Sequence, residues 1–317
     1  MGVLDVKRLA ALVLSLAVLA AGCSKPGVST NPSAGGRVNS FTVPHVLRYA
    51  TGEDFSSLNP MLSQQTTLGL MASLTMAWLV RWDVHNHAYP ELATAIPTMA
   101  NGGVSKDGLT ITYHLRKGVK WSDGVPFTAD DVVWSTSAVL NPANNITSRT
   151  GWDLIKNVGE PDKYTVVFHM KKPYSPFIQS FFSTEGANPC ILPKHLLAQY
   201  PNINNVAYNS LPVGIGPFKY KVWKRGQEVV MVPDPLYWRG PPKLHEVDFM
   251  IVPDANTLLT QVEAKEIDLW YNAPQNRYKQ LKQLAPYTVY VENSYYFRHL
   301  DFNTSTAHLS DPAVRQA

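Results

Sequence analysis

Apolar and polar positions along this chain change period several times, and each change marks an element. Val46-Leu47-Arg48-Tyr49-Ala50 predicts a first strand, which runs into the loop Thr51–Pro60. Leu68 to Val80 is apolar enough to predict a buried helix. Leu109, Ile111, Tyr113 and Leu115 alternate with Thr110, Thr112 and His114, the period of a half-buried strand, and Tyr164, Val166, Phe168 and Met170 repeat it. Between them, Trp121-Ser-Asp-Gly124 predicts a turn. Thr128-Ala-Asp-Asp131 predicts a capping-box helix start, with Val132, Val133, Thr136, Val139 and Leu140 on one face and Asn141-Pro142 as its stop. Pro193 opens a short helix through Leu197. Phe218–Val222 and Val229–Val232 predict a hairpin across Lys224–Gln227. Val247–Val252 reads as a buried strand, Pro253-Asp254 starts a helix carrying Leu258, Leu259 and Val262, and Ile267–Tyr271 returns as a strand. Strands alternating with helices predict an α/β lobe with some parallel pairing.

The amino-terminal pattern is of another kind. Lys7-Arg8 precede Leu9 to Ala21, an apolar run too short for a permanent membrane span, and Gly22-Cys23-Ser24 follows. This predicts a lipoprotein signal peptide over 1–22 and lipid on Cys23, with Ala20 in the slot where a lipobox leucine usually stands. An uncleaved membrane anchor is the alternative. Residues 24–40 hold Ser, Gly, Pro, Asn and Thr with almost no apolar content, so 23–40 is expected to be a flexible tether. At the other end, Asp311-Pro312 opens a helix that stops after one turn, which predicts that the chain is a piece of a longer protein.

Composition narrows the possibilities. The net charge of +4 over 317 residues comes from scattered Lys and Arg, which argues against a nucleic-acid surface. The 8 Trp, 15 Tyr and 11 Phe supply material for a core and for pockets that take mixed polar and apolar ligands. With Cys23 carrying lipid, Cys190 has no intrachain partner, so packing must supply the stability.

Motifs for chemistry are few. Asp123, Asp130 and Asp131 resemble a carboxylate cluster, but the turn accounts for Asp123 and the helix cap for Asp131. Trp121 is expected to pack beneath that turn. Gly214-Ile-Gly216 fails as a dinucleotide loop because Pro217 follows, and its glycines are expected to permit positive φ ahead of the Phe218 strand. His85-Asn-His87 offers two imidazoles but reads better as an exposed turn. No P-loop, zinc-spaced Cys/His cluster or Gly-x-Ser-x-Gly elbow occurs. The expectation is therefore no catalytic residue, no metal and no cofactor.

Several motifs occur in order: Pro90-Glu-Leu-Ala93, Leu115-Arg-Lys-Gly-Val-Lys-Trp-Ser-Asp-Gly124, Pro126-Phe-Thr-Ala-Asp-Asp-Val132, Ile191-Leu-Pro-Lys-His195, Gly214-Ile-Gly-Pro-Phe218, Tyr237-Trp-Arg-Gly240, Lys265-Glu-Ile-Asp268 and Asp311-Pro-Ala-Val-Arg-Gln-Ala317. From Arg48 to Ala317 the chain resembles the family 5 extracellular solute-binding proteins, which serve oligopeptide, dipeptide and nickel ABC importers. Ile215 departs from the usual Thr between the two glycines. The resemblance implies a two-lobed periplasmic-binding-protein clamp of type II. Its first lobe would comprise 41–62 and 199–271, carry an inserted subdomain over 63–198, and be followed by the start of a second lobe at 272–317.

The implied function is capture of a peptide outside the cytoplasmic membrane by a lipid-anchored monomer. The cargo would pass to an ABC permease and its ATPase subunits, without nucleic acid. A nickel chelate or an oligosaccharide is the alternative cargo, and an envelope-attached hydrolase the alternative of another class. Carboxyl ends of strands face the crevice in α/β lobes. Ligand contact is therefore expected from the loop after the first strand, at Glu53, Phe55, Ser56, Ser57, Leu58 and Asn59. The strand Tyr295–Asn303 is expected to add Tyr296, Phe297 and Asn303.

Overall fold

The computed structural model describes residues 41–184, 189–291 and 300–316. The apolar run, Cys23 and the tether lie outside them, as do Tyr296 and Phe297. In chain order, β1 (Val46–Thr51) is followed by α1 (Thr66–Thr75), β2 (Val80–Trp82), β3 (Ala88–Pro90), β4 (Thr110–His114) and α2 (Ala129–Leu140). Then come β5 (Ile155–Asp162), β6 (Thr165–Met170), α3 (Phe177–Ser180), α4 (Lys194–Leu197), β7 (Phe218–Lys224), β8 (Glu228–Pro233) and β9 (Glu246–Ile251). The order closes with α5 (Ala255–Glu263), β10 (Leu269–Trp270), α6 (Tyr278–Leu281) and α7 (Pro312–Gln316). No described helix is long and apolar enough to cross a membrane.

Five strands form the principal sheet in the order β10-β1-β9-β8-β7. β1 pairs in parallel with β9, from Val46 opposite Glu246 to Thr51 opposite Ile251, and in parallel with β10 at Tyr49 and Leu269. β7, β8 and β9 pair antiparallel. Alternation along these strands divides two faces. Tyr49, Val247, Phe249, Val229 and Met231 are buried on one of them, in an apolar cluster that continues to Tyr113, Trp152 and Phe168 of the smaller sheets. On the other face Ala50 meets Leu258, Val262 and Ile267, which seats α5 across one end. The rest of that face mixes the carboxylates of Glu228, Glu246 and Asp248 with apolar Val230 and Met250, and Arg48 bridges to Asp268 at 2.8 Å.

Between β1 and β7 lie a two-stranded sheet, β2-β3, and an antiparallel three-stranded sheet, β4-β6-β5. Asp131 ties this region together. Its carboxylate accepts from Thr128 N at 3.0 Å, from Trp121 Nε1 at 3.2 Å and from Lys194 N at 3.1 Å. The cap of α2, the Trp121 turn and the start of α4 thus converge on one buried acid.

Four expectations change. The helix predicted over Leu68–Val80 ends at Thr75, where Met76 N closes on Ala72 O. Residues 76–80 are extended and wholly buried, and Leu79 N donates to Phe182 O. A continuous apolar run has no period, so it does not separate buried helix from buried strand. The strand predicted over Ile267–Tyr271 is regular only at Leu269–Trp270, and residues 300–303 at the end of the predicted Tyr295–Asn303 strand are irregular. Gly214 and Gly216 do not carry positive φ. A Cβ on Gly214 would stand 1.9 Å from Thr75 O, and one on Gly216 2.2 Å from Leu74 O. Their role is close approach to the end of α1, where Gly216 N donates to Thr75 O at 2.9 Å.

Candidate ligand-binding cleft

The parallel strands β1, β9 and β10 end side by side, which leaves three chain ends to diverge from one edge of the sheet. Val252 N still donates to Thr51 O at 2.8 Å, and past that bond the segments separate. One turns at Gly52 toward α1, another passes Pro253 into α5 with Asp254 Oδ1 accepting Thr257 N at 2.8 Å, and the third passes Tyr271 and Asn272. Asn272 takes the left-handed backbone conformation, φ 56°, which Asn tolerates better than most residues. The space between the ends is a cleft of about 170 Å³. Thr51, Gly52 and Glu53 line one side, Val252, Pro253 and Ala255 a second, and Trp270, Tyr271 and Asn272 a third.

Short polar links set the shape of this cleft. Thr51 Oγ1 accepts Glu53 N at 3.1 Å and lies 3.2 Å from Thr67 Oγ1, so the start of α1 is pinned to the end of β1. The Glu53 carboxylate accepts a long bond, 3.4 Å, from Thr67 N. Tyr49 lies beneath, with its ring stacked on Tyr271 at 6.4 Å, and burial drives its phenol well above the ordinary tyrosine range.

The predicted loop residues divide sharply. Glu53 lines the cleft and Ser56 is exposed. Phe55, Ser57, Leu58 and Asn59 are buried. Phe55 and Leu58 belong to the core, and Ser57 Oγ accepts Asn59 N at 3.0 Å. Asn59 caps the following turn by accepting Met61 N and donates to Asn209 Oδ1 at 3.0 Å, while Leu58 N donates to Asn209 O at 2.8 Å. These four side chains fix the course of the loop. Asn303 is exposed and accepts from Ser305 N and Oγ. Thr67, Trp270, Tyr271 and Asn272 line the cleft without having been singled out in the sequence. The strand predicted at Ile267–Tyr271 was the signal available for two of them, Trp270 and Tyr271.

The other motifs fall elsewhere. Trp121 is buried beneath its turn, and Asp123 Oδ1 accepts Val125 N. Asp123 also meets His195 Nε2 at 2.8 Å, a pairing the sequence did not suggest, yet no serine hydroxyl bonds to His195 among the described residues. His85 and His87 lie in the exposed β2–β3 turn, where both backbone N–H groups donate to Asp83 Oδ1 at 2.8 Å.

Comparison with known proteins decides the family. The profile of the bacterial extracellular solute-binding proteins, family 5 (middle region), matches residues 87–317. The chain belongs to that family. The oligopeptide-binding protein AppA of Bacillus subtilis is 30% identical over 213 residues, 66% of this chain and 38% of AppA. The glutathione-binding protein GsiB of Escherichia coli is 26% identical over 274 residues, 84% of this chain and 50% of GsiB. Among solved structures, NikZ from Campylobacter jejuni in complex with Ni(L-His) superposes with a TM-score of 0.75 at 28% identity, covering 87% of this chain and 52% of NikZ. AppA in complex with a nonapeptide gives 0.68 at 27% identity, covering 75% and 46%. This family 5 chain therefore has the α/β architecture of the two-lobed periplasmic binding proteins, and it spans about half the length of the relatives it matches.

Proposed function

We propose that this family 5 chain belongs to the capture subunit of an ABC importer, which takes up a peptide outside the cytoplasmic membrane and delivers it to a permease driven by its ATPase subunits. The observation that carries the reading is the family match, which includes β9 and β10, two of the three strands whose carboxyl ends bound the cleft. In this reading Cys23 carries the lipid that holds the monomer at the membrane. The first lobe comprises 41–62 and 199–271 with 63–198 inserted upon it, and the second lobe begins near 272. Closure of the lobes encloses the ligand, and no bond is made or broken. Main-chain groups of the loop Glu53–Asn59, with Glu53 and Ser56, face the cargo, and Tyr296, Phe297 and Asn303 contribute from the later segment.

Peptide is favoured because AppA binds an oligopeptide and its structure holds a nonapeptide. The Ni(L-His) complex of NikZ motivates a second reading, a nickel chelate. Thermal melting of the full-length gene product separates them. Ligand at about one hundred times Kd should stabilise the fold by about 2.7 kcal/mol. A peptide pool is expected to raise Tm, with the peptides recovered intact after incubation. A rise with nickel–histidine alone would move the cargo to the chelate, and no rise with either would overturn the capture reading.

A further inference from the structure

At the opposite edge of the principal sheet, where β1 and β9 begin, two histidines meet. His45 precedes β1 and His245 precedes β9, and their rings lie nearly face to face, with centroids 4.6 Å and planes 23° apart. Both residues are exposed. The backbone beneath them is fixed. His245 N and Glu246 N both donate to His45 O, at 2.7 and 3.3 Å, and Val46 N closes a turn on Val43 O at 3.1 Å. His45 holds φ 63°, a left-handed conformation that histidine adopts more readily than most residues.

Hydrogen bonding sets the chemistry of the pair. His45 Nδ1 lies 3.2 Å from Lys243 O. A carbonyl oxygen only accepts, so Nδ1 carries the proton and the neutral ring keeps its lone pair on Nε2. A metal-ligating imidazole is held in the same way, its second nitrogen donating to a backbone carbonyl. Two nitrogens that share a Zn2+ ion, each at about 2.0–2.1 Å, stand at most about 4.2 Å apart, which these rings reach by rotating exposed side chains. We infer that His45 and His245 form a binding site for a divalent transition metal ion, Zn2+ or Cu2+, which staples the amino end of β1 to that of β9. Imidazole suits these ions, whereas Mg2+ prefers oxygen. No third His, Cys, Asp or Glu joins the pair among the described residues, so water would complete the coordination and the ion would exchange. Motif spacing could not reveal the site, because His45 and its partner Lys243 stand 198 positions apart. The His85–His87 turn is a poorer candidate. Its rings are 6.2 Å apart with planes at 48°, and His87 Nδ1 already faces Asp83 Oδ2 at 3.4 Å.

Calorimetric titration of the full-length protein, purified without a histidine tag, with ZnCl2, CuCl2 and MgCl2 tests the site. Zn2+ is expected to bind and to raise Tm, Cu2+ to bind tighter, and Mg2+ at the same concentration to do neither. His45→Asn keeps a residue that tolerates the left-handed backbone, and His245→Gln keeps a polar side chain, so Tm without metal should hold in both. Each should weaken Zn2+ binding at least about 10-fold, the least that loss of even an outer partner of a metal ligand costs. His87→Gln should leave the binding unchanged. If His45→Asn lowers Tm without metal, His245→Gln alone carries the test. Native protein that binds no Zn2+, binding that survives His245→Gln, or a loss confined to His87→Gln would overturn the inference. Capture at the other edge of the sheet stands or falls separately.

Discussion

At Gly214 and Gly216 a missing side chain lets two segments meet. A methyl group at Gly214 would overlap Thr75 O at 1.9 Å, and because the obstacle is backbone at the end of α1, no rotamer relieves it. Gly214→Ala is expected to destabilise the protein by about 3 kcal/mol, at the upper end of overpacking costs. Gly69 is the control. It lies exposed within α1, and a Cβ there meets nothing within 4 Å. Gly69→Ala should raise stability by about 0.5–1 kcal/mol through helix propensity alone. Urea denaturation of the pair reads both signs, and a tolerated Gly214→Ala would refute close packing as the reason for that glycine. The same scale shows where sequence reasoning stopped. Sequence marks Gly214 and Gly216 as special, but only the fold tells close approach from positive φ. Likewise Phe55, Leu58 and Asn59 follow a strand end as Glu53 does, yet their side chains turn inward to a core and to Asn209, 150 positions away.

Among the elements, those with strict alternation or a clear cap were legible: β1, β4, β6, the β7–β8 hairpin, and α2 with its Asp131 cap. β5 was not. Its sequence Ile-Lys-Asn-Val-Gly-Glu-Pro-Asp has no period, and its pairing with β6 shifts register twice. Tertiary context places such a strand. The carboxylates on the α5 side of the principal sheet have an energetic consequence of their own. Asp248 on β9 is half-buried, and its Oδ1 has no hydrogen-bond partner among the described residues. Burial, with repulsion from Glu228 and Glu246 added, raises its carboxyl from 3.8 to about 6. The folded chain therefore keeps this proton after the unfolded chain has released it. The contribution is present in full below about pH 4 and is lost as pH rises to about 6. Discounted for partial exposure, the loss should be about 1 kcal/mol. Asp248→Asn should flatten that part of the stability–pH curve, measured by urea midpoints from pH 4 to 7, and an unchanged slope would count against the assignment.

For the whole molecule, the apolar cluster makes no break between the principal sheet and the region inserted between β1 and β7. Phe249 of β9 and Phe168 of β6 belong to the same continuous core. Truncating either to alanine should cost about 3–5 kcal/mol and lower one shared midpoint, seen alike by circular dichroism and tryptophan fluorescence. Two separated transitions would mean that the inserted region melts independently. That continuity was not legible, because sequence patterns show which face of an element is apolar and not which neighbour covers it. The place of β1 in the sheet has a temporal consequence as well. Arg48 and its partner Asp268 stand 220 positions apart. At roughly 5–20 residues per second, a ribosome needs about ten to forty seconds to deliver the second after the first. For most of that interval, until β9 is made, the opening strand has emerged with neither parallel neighbour, an apolar edge for holding chaperones to mask until translation catches up.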